Sequence, residues 1–216
     1  MRLRLLPVAL ALAGVLAAGA HAQIRPVRPG DAALLDRAPT YEEQIAQQVA
    51  ARLTHLRPEA RCGPLGIPSE KGIVGITPFV GPPLHPAGYF LLLPQVCDDL
   101  AAFHASPTSY DPRACQDSDC LNKVAGAALA LATVSHESYH LLGYTNEAQV
   151  ECYGMQSIWY VANKLGATVA ESQAIASFYA TQMYPVRRTQ TPAYWSADCR
   201  DGGKYDLRPG SHSWPS

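Results

Sequence analysis

An almost continuous apolar stretch in the second half of the chain predicts a buried helix. From Val124 to Val134 nearly every residue is apolar or small, which is typical of a helix that packs against other elements on most sides. Ser118 or Asp119 can cap this helix at its start, and Gly143 favours a helix end. We therefore predict one long helix that runs to Leu142.

Capping residues mark further helices on both sides of this segment. Thr40 and Thr168 each precede a glutamate by three residues, which is the spacing of a capping box. Asn146 can cap another helix. With a short helix before the central one, the predicted helices cover 40–56, 95–104, 146–165 and 168–184. From Pro185 onward we expect a tail whose aromatic side chains pack on the body.

The strands are predicted to be few. Residues 58–88 are repeatedly broken by prolines and favour a loop with one strand near Ile73–Val80. The run Tyr89–Leu93 is aromatic and apolar and ends at a proline, which suits a buried strand. Helices with a small sheet predict an α+β fold that is predominantly α-helical.

The N-terminus has the features of an export signal. Arg2 and Arg4 precede an apolar run, Leu5–Ala20, which is short for a membrane span of ~20 residues. Small residues at Ala20 and Ala22 favour cleavage after Ala22, and an uncleaved membrane anchor is the alternative. We therefore expect a signal peptide (1–22), an extended lead-in (23–39) and one domain (40–216), with no stable membrane insertion after signal removal.

Composition and charge narrow the class of protein. The 216 residues carry 17 Lys and Arg against 18 Asp and Glu, and the basic residues form no patch. This pattern excludes nucleic acid as an expected partner. An exported chain of this kind is expected to be secreted or periplasmic, and to fold in an oxidising compartment.

The six cysteines predict disulfides. Their number is even, and the sequence contains no C-x-x-C pair. Disulfide bonds are therefore favoured over a cysteine-based zinc site. We expect up to three disulfide bonds. Cys115 and Cys120 can close a small loop, and Cys152 is expected to tie its helix to Cys199 in the tail.

The end of the central helix carries candidate catalytic chemistry. His136 and His140 are four residues apart, so both imidazoles lie on one helix face and can reach one metal ion. Glu137 lies about 100° further round the helix. This H-E-x-x-H pattern is typical of sites in which two histidines bind zinc and the glutamate takes a proton from water.

The following helix offers a third ligand, because zinc sites of this kind use three protein ligands. The candidates are Asn146, Glu147 and Glu151. The two glutamates are four residues apart and share a helix face. One of them can bind the metal while the other holds the far nitrogen of a ligand histidine. Tyr139 and Tyr144 flank the motif as possible donors to an oxyanion, although packing is the favoured role for both.

The segment His136–Gln156 resembles the zincin metallopeptidases. Residues 146–151 look like the N-E-A-x-x-D segment of the thermolysin-like enzymes, with Glu151 where that family has Asp. The resemblance implies that Glu147 is the third zinc ligand and that Glu151 supports a ligand histidine. It also implies a zincin-like fold with an active-site helix, a ligand-bearing second helix and a small sheet, in which Tyr89–Leu93 is the edge strand that holds an extended peptide.

Two related patterns cover the same region. Residues 147–154 are similar to the E-x-x-A-N-x-F-A helix of phage-repressor-cleaving metallopeptidases, with Tyr153 at the aromatic position and Gly154 at the small one. Residues 136–146 resemble the H-E-x-x-H-x-x-G-x-x-H motif of the metzincins, with Asn146 in place of its last histidine. Asparagine is a poor zinc ligand beside two carboxylates, which favours a compact secreted bacterial enzyme of gluzincin type.

The predicted function is that of a secreted zinc-dependent metallopeptidase. It would hydrolyse peptide bonds of a peptide or protein substrate with a zinc-activated water and Glu137 as general base. The alternative is a non-catalytic, disulfide-stabilised secreted binding or envelope protein with a vestigial zincin site. Intact His136, Glu137 and His140 favour the enzyme.

Overall fold

The apolar stretch forms the central helix of the computed structural model, which describes residues 25–65, 73–211 and 213–215. This helix spans Ser118–Leu141 and is capped by the Asp117 side chain, one residue before Ser118, the first of the two predicted caps. Helices from both sides in sequence pack on it, and its C-terminal half is almost entirely buried. The predicted signal peptide lies outside the described residues.

Helices dominate the fold and the strands are short, which confirms the prediction of an α+β protein that is mostly helical. The helices are α1 (Pro29–Leu35), α2 (Tyr41–Thr54), α3 (Pro94–Ala105), α4 (Ser118–Leu141), α5 (Glu147–Lys164), α6 (Val169–Phe178) and α7 (Tyr184–Gln190). The strands are β1 (Arg25–Pro26), β2 (Glu59–Cys62), β3 (Gly75–Ile76), β4 (Pro78–Val80), β5 (His85–Pro86) and β6 (Tyr89–Leu92).

The predicted helix starts are confirmed at α2, α5 and α6. The side chains of Thr40, Asn146 and Thr168 each accept a hydrogen bond from the backbone N–H three residues later. Helix α2 ends slightly earlier than predicted, because His55 adopts the left-handed conformation with φ of 59°. Local capping chemistry therefore sets where these helices begin.

The strands form two three-stranded sheets with the orders β1-β4-β5 and β2-β6-β3. Strand β6 pairs in parallel with β2 and antiparallel with β3, so the prediction that it is an edge strand is wrong. All of its residues are buried, as expected for an apolar strand with neighbours on both sides. Strand β3 is the edge strand that packs beside α4.

The helix after Thr168 does not stop before Pro185, and the expectation of a tail from there is wrong. A π-helical turn, Tyr179–Met183, joins α6 to α7. Pro185 lies in the first turn of α7. Backbone N–H groups in a first turn have no acceptor within the helix, so a proline is tolerated there. A short 3₁₀ turn, Pro192–Tyr194, follows, and this C-terminal region packs against α5.

The predicted extended lead-in also contains a helix, α1, whose Asp31 forms a buried ion pair with Arg25 and a hydrogen bond with Tyr89 of β6. Arg25 donates two hydrogen bonds to Asp31, at 2.7 and 2.8 Å, and both side chains are almost fully buried. The hydroxyl of Tyr89 and the backbone N–H of Arg28 also donate to this carboxylate. Burial raises the pKa of Asp31, but these hydrogen bonds outweigh it and lower the pKa below its usual value.

Replacing Asp31 with Asn is expected to lower the free energy of unfolding by about 3–5 kcal/mol at pH 7, because it leaves Arg25 buried without its partner charge. A carboxylate whose pKa is lowered by folding contributes stability above its unfolded pKa and loses it as pH falls through the folded value. Urea unfolding at several pH values should therefore show the difference shrinking below about pH 4. The exposed D36N variant is the control, and a pH-independent difference would contradict the prediction.

Three disulfides are present, as the cysteine count predicts. They join Cys62 to Cys97, Cys115 to Cys120 and Cys152 to Cys199. The last two are the pairings expected from the sequence. With every cysteine oxidised, a cysteine-based zinc site is excluded. In the described part of the chain, no helix has the length and apolar character needed to cross a membrane.

Candidate metal centre

The C-terminal turns of α4 place His136 and His140 side by side inside the protein. Both side chains are nearly fully buried, and their Nε2 atoms are 3.0 Å apart. This closeness follows from the four-residue spacing, since residues i and i+4 of a helix lie on one face. The two imidazoles therefore converge on one point, as the sequence predicts.

Helix α5 brings a carboxylate to the same point. A tight turn at Gly143, with φ of 88°, lets the chain reverse after α4, and Asn146 caps α5 by accepting the Gln149 N–H. Glu147 is then the first residue of α5. Its Oε2 lies 3.2 Å from Nε2 of His136 and 3.3 Å from Nε2 of His140. Among the three candidates for a third ligand, Glu147 is the residue that faces both imidazoles.

The outer nitrogens of both histidines are bonded to acceptors. Nδ1 of His136 lies 3.0 Å from Oε2 of Glu151, and Nδ1 of His140 lies 2.7 Å from the carbonyl oxygen of Tyr144. Acceptors of this kind require Nδ1 to carry a proton, so the Nε2 atom of each imidazole presents a lone pair whenever the ring is neutral. Oε2 of Glu147, which is buried and makes no hydrogen bond, presents another. When both rings are neutral, three lone pairs thus face one another, with their atoms 3.0 to 3.3 Å apart.

The electrostatics of this cluster favour a positive charge at its centre. Burial lowers the pKa of His136, but Glu147 and Glu151 outweigh it and raise the pKa to about 10. Burial raises the pKa of Glu147, but the two histidines lower it below its usual value. Either a proton or a metal cation supplies the charge that these groups require.

Glu151 has the supporting place that the sequence allowed for it. Its Oε2 contacts Nδ1 of His136, on the side of the ring away from the converging Nε2 atoms. Its Oε1 accepts a hydrogen bond from the hydroxyl of Tyr179 and forms an ion pair with Arg187. Burial raises the pKa of Glu151, but Arg187 and then His136 lower it to about 2. The carboxylate is therefore ionised at neutral pH.

Glu137 follows His136 in α4 and is held by the loop after β3. Its Oε2 accepts a hydrogen bond of 2.7 Å from the hydroxyl of Thr77, and its Oε1 lies against Gly75. A Cβ at residue 75 would lie 2.8 Å from that oxygen, so a larger residue there would displace the Glu137 carboxylate. Burial raises the pKa of Glu137.

A second glycine sets the distance between α4 and α5. A Cβ at Gly154 would lie 3.0 Å from the backbone nitrogen of His136 and 3.3 Å from the carbonyl oxygen of Ala132. The two helices therefore touch through their backbones beside His136. This close approach allows Glu147 and Glu151 to reach the imidazoles.

A cavity of about 20 Å³ opens next to Glu137 and His136, which is room for about one water molecule. Arg187 and Tyr194 line it from the C-terminal region. The ring of Tyr194 stacks on the imidazole of His136, with centroids 5.6 Å apart. Part of the site is thus covered by the residues that follow the π-helical turn.

The side chains of the flanking tyrosines, Tyr139 and Tyr144, lie outside the site. The hydroxyl of Tyr139 hydrogen-bonds to Ser157, and the ring of Tyr139 packs against Tyr144 and Tyr153. Packing is therefore the role that their contacts support. The site residues that the sequence did not indicate are Thr77, Tyr179, Arg187 and Tyr194, which come from segments predicted to be a strand, an ordinary helix and a tail.

Comparisons of the chain with protein-family models, with curated proteins and with solved structures found no match. The function is therefore inferred from the distances, burial and hydrogen bonds of the site. The cluster of His136, His140 and Glu147 has the three ligand atoms within reach of one metal ion.

Proposed function

We propose that this protein is an exported zinc-dependent metallopeptidase in which His136, His140 and Glu147 hold the metal. The observation that carries the proposal is the convergence of three lone-pair atoms, 3.0 to 3.3 Å apart, in a buried site. Without a proton or a metal cation at its centre, such an arrangement is electrostatically unfavourable. The three disulfides support the exported location.

The residues fit zinc in both geometry and chemistry. In a tetrahedral site with metal–ligand distances of ~2.0–2.2 Å, ligand atoms lie about 3.3–3.6 Å apart. The observed separations are at or slightly below the lower end of this range. Two imidazole nitrogens and one carboxylate oxygen form a typical donor set of catalytic zinc, which keeps the fourth position open.

The mechanism assigns proton transfer to Glu137. When bound, zinc supplies Lewis-acid activation of a water and of a substrate carbonyl. Glu137 would take a proton from the attacking water as its oxygen adds to the substrate carbonyl carbon, and would give that proton to the amine nitrogen as the C–N bond breaks. Thr77 occupies one oxygen of Glu137, which leaves the other to carry the proton. The raised pKa brings this carboxylate closer to the neutral range in which a base works best.

The same structure also gives support to a second candidate, a non-catalytic binding or envelope protein stabilised by this site. The cavity beside Glu137 has room for a water but not for a peptide, and Tyr194 covers His136. Catalysis on a peptide therefore requires the segment that carries Tyr194 to move. A protein that never opens this segment would use the cluster for stability alone.

The metal content of the mature protein tests the proposal. We expect near-equimolar zinc in protein purified from an oxidising compartment, and at least a 100-fold loss of zinc affinity in the H136A variant, because two ligands cannot hold the ion tightly. The exposed H85A variant is the control. Cleavage of a peptide library, measured by mass spectrometry, separates the two candidates.

Two results would count against the proposal. Equal zinc content in wild type and H136A would remove the metal site. The second result is equimolar zinc without cleavage of any peptide, both in wild type and in the Y194A variant. It would favour the second candidate, a non-catalytic binding or envelope protein.

A further inference from the structure

Arg187 and Tyr179 contact the outer side of Glu151, the carboxylate behind His136. Nε of Arg187 lies 3.2 Å from Oε1 of Glu151, and the hydroxyl of Tyr179 donates to the same oxygen. Arg187 also donates through Nη2 to the hydroxyl of Tyr179, at 3.2 Å. One oxygen of Glu151 is thus saturated from the C-terminal region, which leaves Oε2 for Nδ1 of His136.

From this arrangement we propose that Arg187 and Tyr179 are positioning residues that set the metal affinity of the site from the π-helical turn and α7. The inference rests on the proposed metal site and deepens it. Neither residue touches the three ligand atoms. They act through Glu151, whose carboxylate they hold in one rotation, so that the imidazole of His136 keeps its proton on Nδ1 and directs Nε2 to the metal.

The backbone explains how two such distant residues meet Glu151. The π-helical turn holds one more residue than an α-helical turn would. Each extra residue rotates the residues that follow by about 100°, so without the π turn the residues of α7 would lie on a different face. The π-helical turn places Tyr179 at its start, and Arg187 follows in α7. Single π turns in α-helices occur frequently at functional sites.

A second contact joins Arg187 to the same histidine. Its guanidinium lies over the ring of Tyr194, 5.6 Å from the centroid, and that ring stacks on the imidazole of His136. The Arg187 side chain is largely buried at 15% exposure. A buried cation with hydrogen bonds and an aromatic partner on one side of a ligand histidine is suited to fixing the orientation of that histidine.

Zinc affinity is the quantity that tests this inference, measured by competition with a chromophoric chelator on the full mature chain. R187M is expected to weaken zinc binding by about 10- to 100-fold. R188M is the matched control, since Arg188 is the adjacent arginine and lies over Trp195 instead. R187K should recover part of the affinity, because lysine restores the charge but not the second donor.

A double-mutant cycle with E151Q distinguishes positioning from a general loss of structure. If Arg187 acts through Glu151, R187M should weaken zinc binding at most about 3-fold in the E151Q background. The visible spectrum of the cobalt-substituted protein should change in R187M and not in R188M, because it reports the orientation of the ligands. Y179F should show a smaller effect in the same direction.

Several results would overturn the inference. These are wild-type affinity in R187M, an equal loss in both backgrounds, or a wild type that binds no zinc. Absence of peptide cleavage, by contrast, bears on the proposed function alone. A wild type that binds zinc and shows the coupled loss, yet cleaves no peptide, supports the inference while it removes the peptidase.

Discussion

Replacing Glu137 with Gln is expected to leave zinc binding intact and to lower kcat for peptide cleavage by about 10²- to 10⁴-fold. The amide has nearly the same shape, so it can still accept the hydrogen bond from Thr77, but it cannot take a proton from water. Glu137 is not among the three converging ligand atoms, and the metal should therefore remain. Steady-state cleavage and zinc content, measured on the same preparation, check both halves of the prediction.

The control for this variant is E42Q, a change of the same kind in the first turn of α2 and away from the site. Wild-type kcat in E137Q would show that the carboxylate is not the base. A parallel loss of zinc in E137Q would show that the residue binds the metal or holds the fold, and the assignment of roles within the motif would have to change.

Replacing Gly154 with Val is expected to lower the free energy of unfolding by about 1–3 kcal/mol or more and to weaken zinc binding strongly. The new side chain would meet the backbone of α4 at His136 and Ala132, and backbone atoms of a packed helix have little room to shift. Separation of α5 from α4 would carry Glu147 and Glu151 away from the imidazoles. Chemical denaturation and chelator competition measure the two effects.

Gly30 provides the matched control, because it lies in helix α1 and a Cβ there meets nothing within 4 Å. G30V should differ from wild type only by the small cost of a β-branched residue in a helix. If G154V unfolds at the wild-type denaturant concentration and binds zinc as tightly as wild type, the close contact between α4 and α5 has no part in forming the site.

The local parts of the fold could be predicted because their causes lie within a few residues of one another. The side chains of Thr40, Asn146 and Thr168 cap their helices from three residues away. The prediction that the helix ends before Pro185 is wrong. The effect of this proline depends on the π-helical turn before it and on its place in the first turn of α7. The prediction that β6 is an edge strand is wrong for a related reason. The neighbours of a strand are set by pairing between segments distant in sequence, here β2 and β3.

The same distinction holds for the candidate site. Four of its groups could be predicted from the sequence, because helical periodicity is fixed by the backbone. These are the two histidines, His136 and His140, and the two glutamates of the next helix. The choice of Glu147 over Glu151 as the residue facing both imidazoles required the observed packing of α5 on α4. It depends on the turn at Gly143 and on the close approach at Gly154.

Helical periodicity, the helix caps, the disulfide-forming cysteines and the pattern of two histidines and a glutamate on one turn all follow from residues close together in the chain. The surroundings of that turn follow from packing in three dimensions. Thr77 reaches Glu137 across 60 residues of sequence, and Tyr179 reaches Glu151 across 28. Contacts of this kind arise from how helices and loops pack in three dimensions, and no periodic or capping pattern along the chain records them.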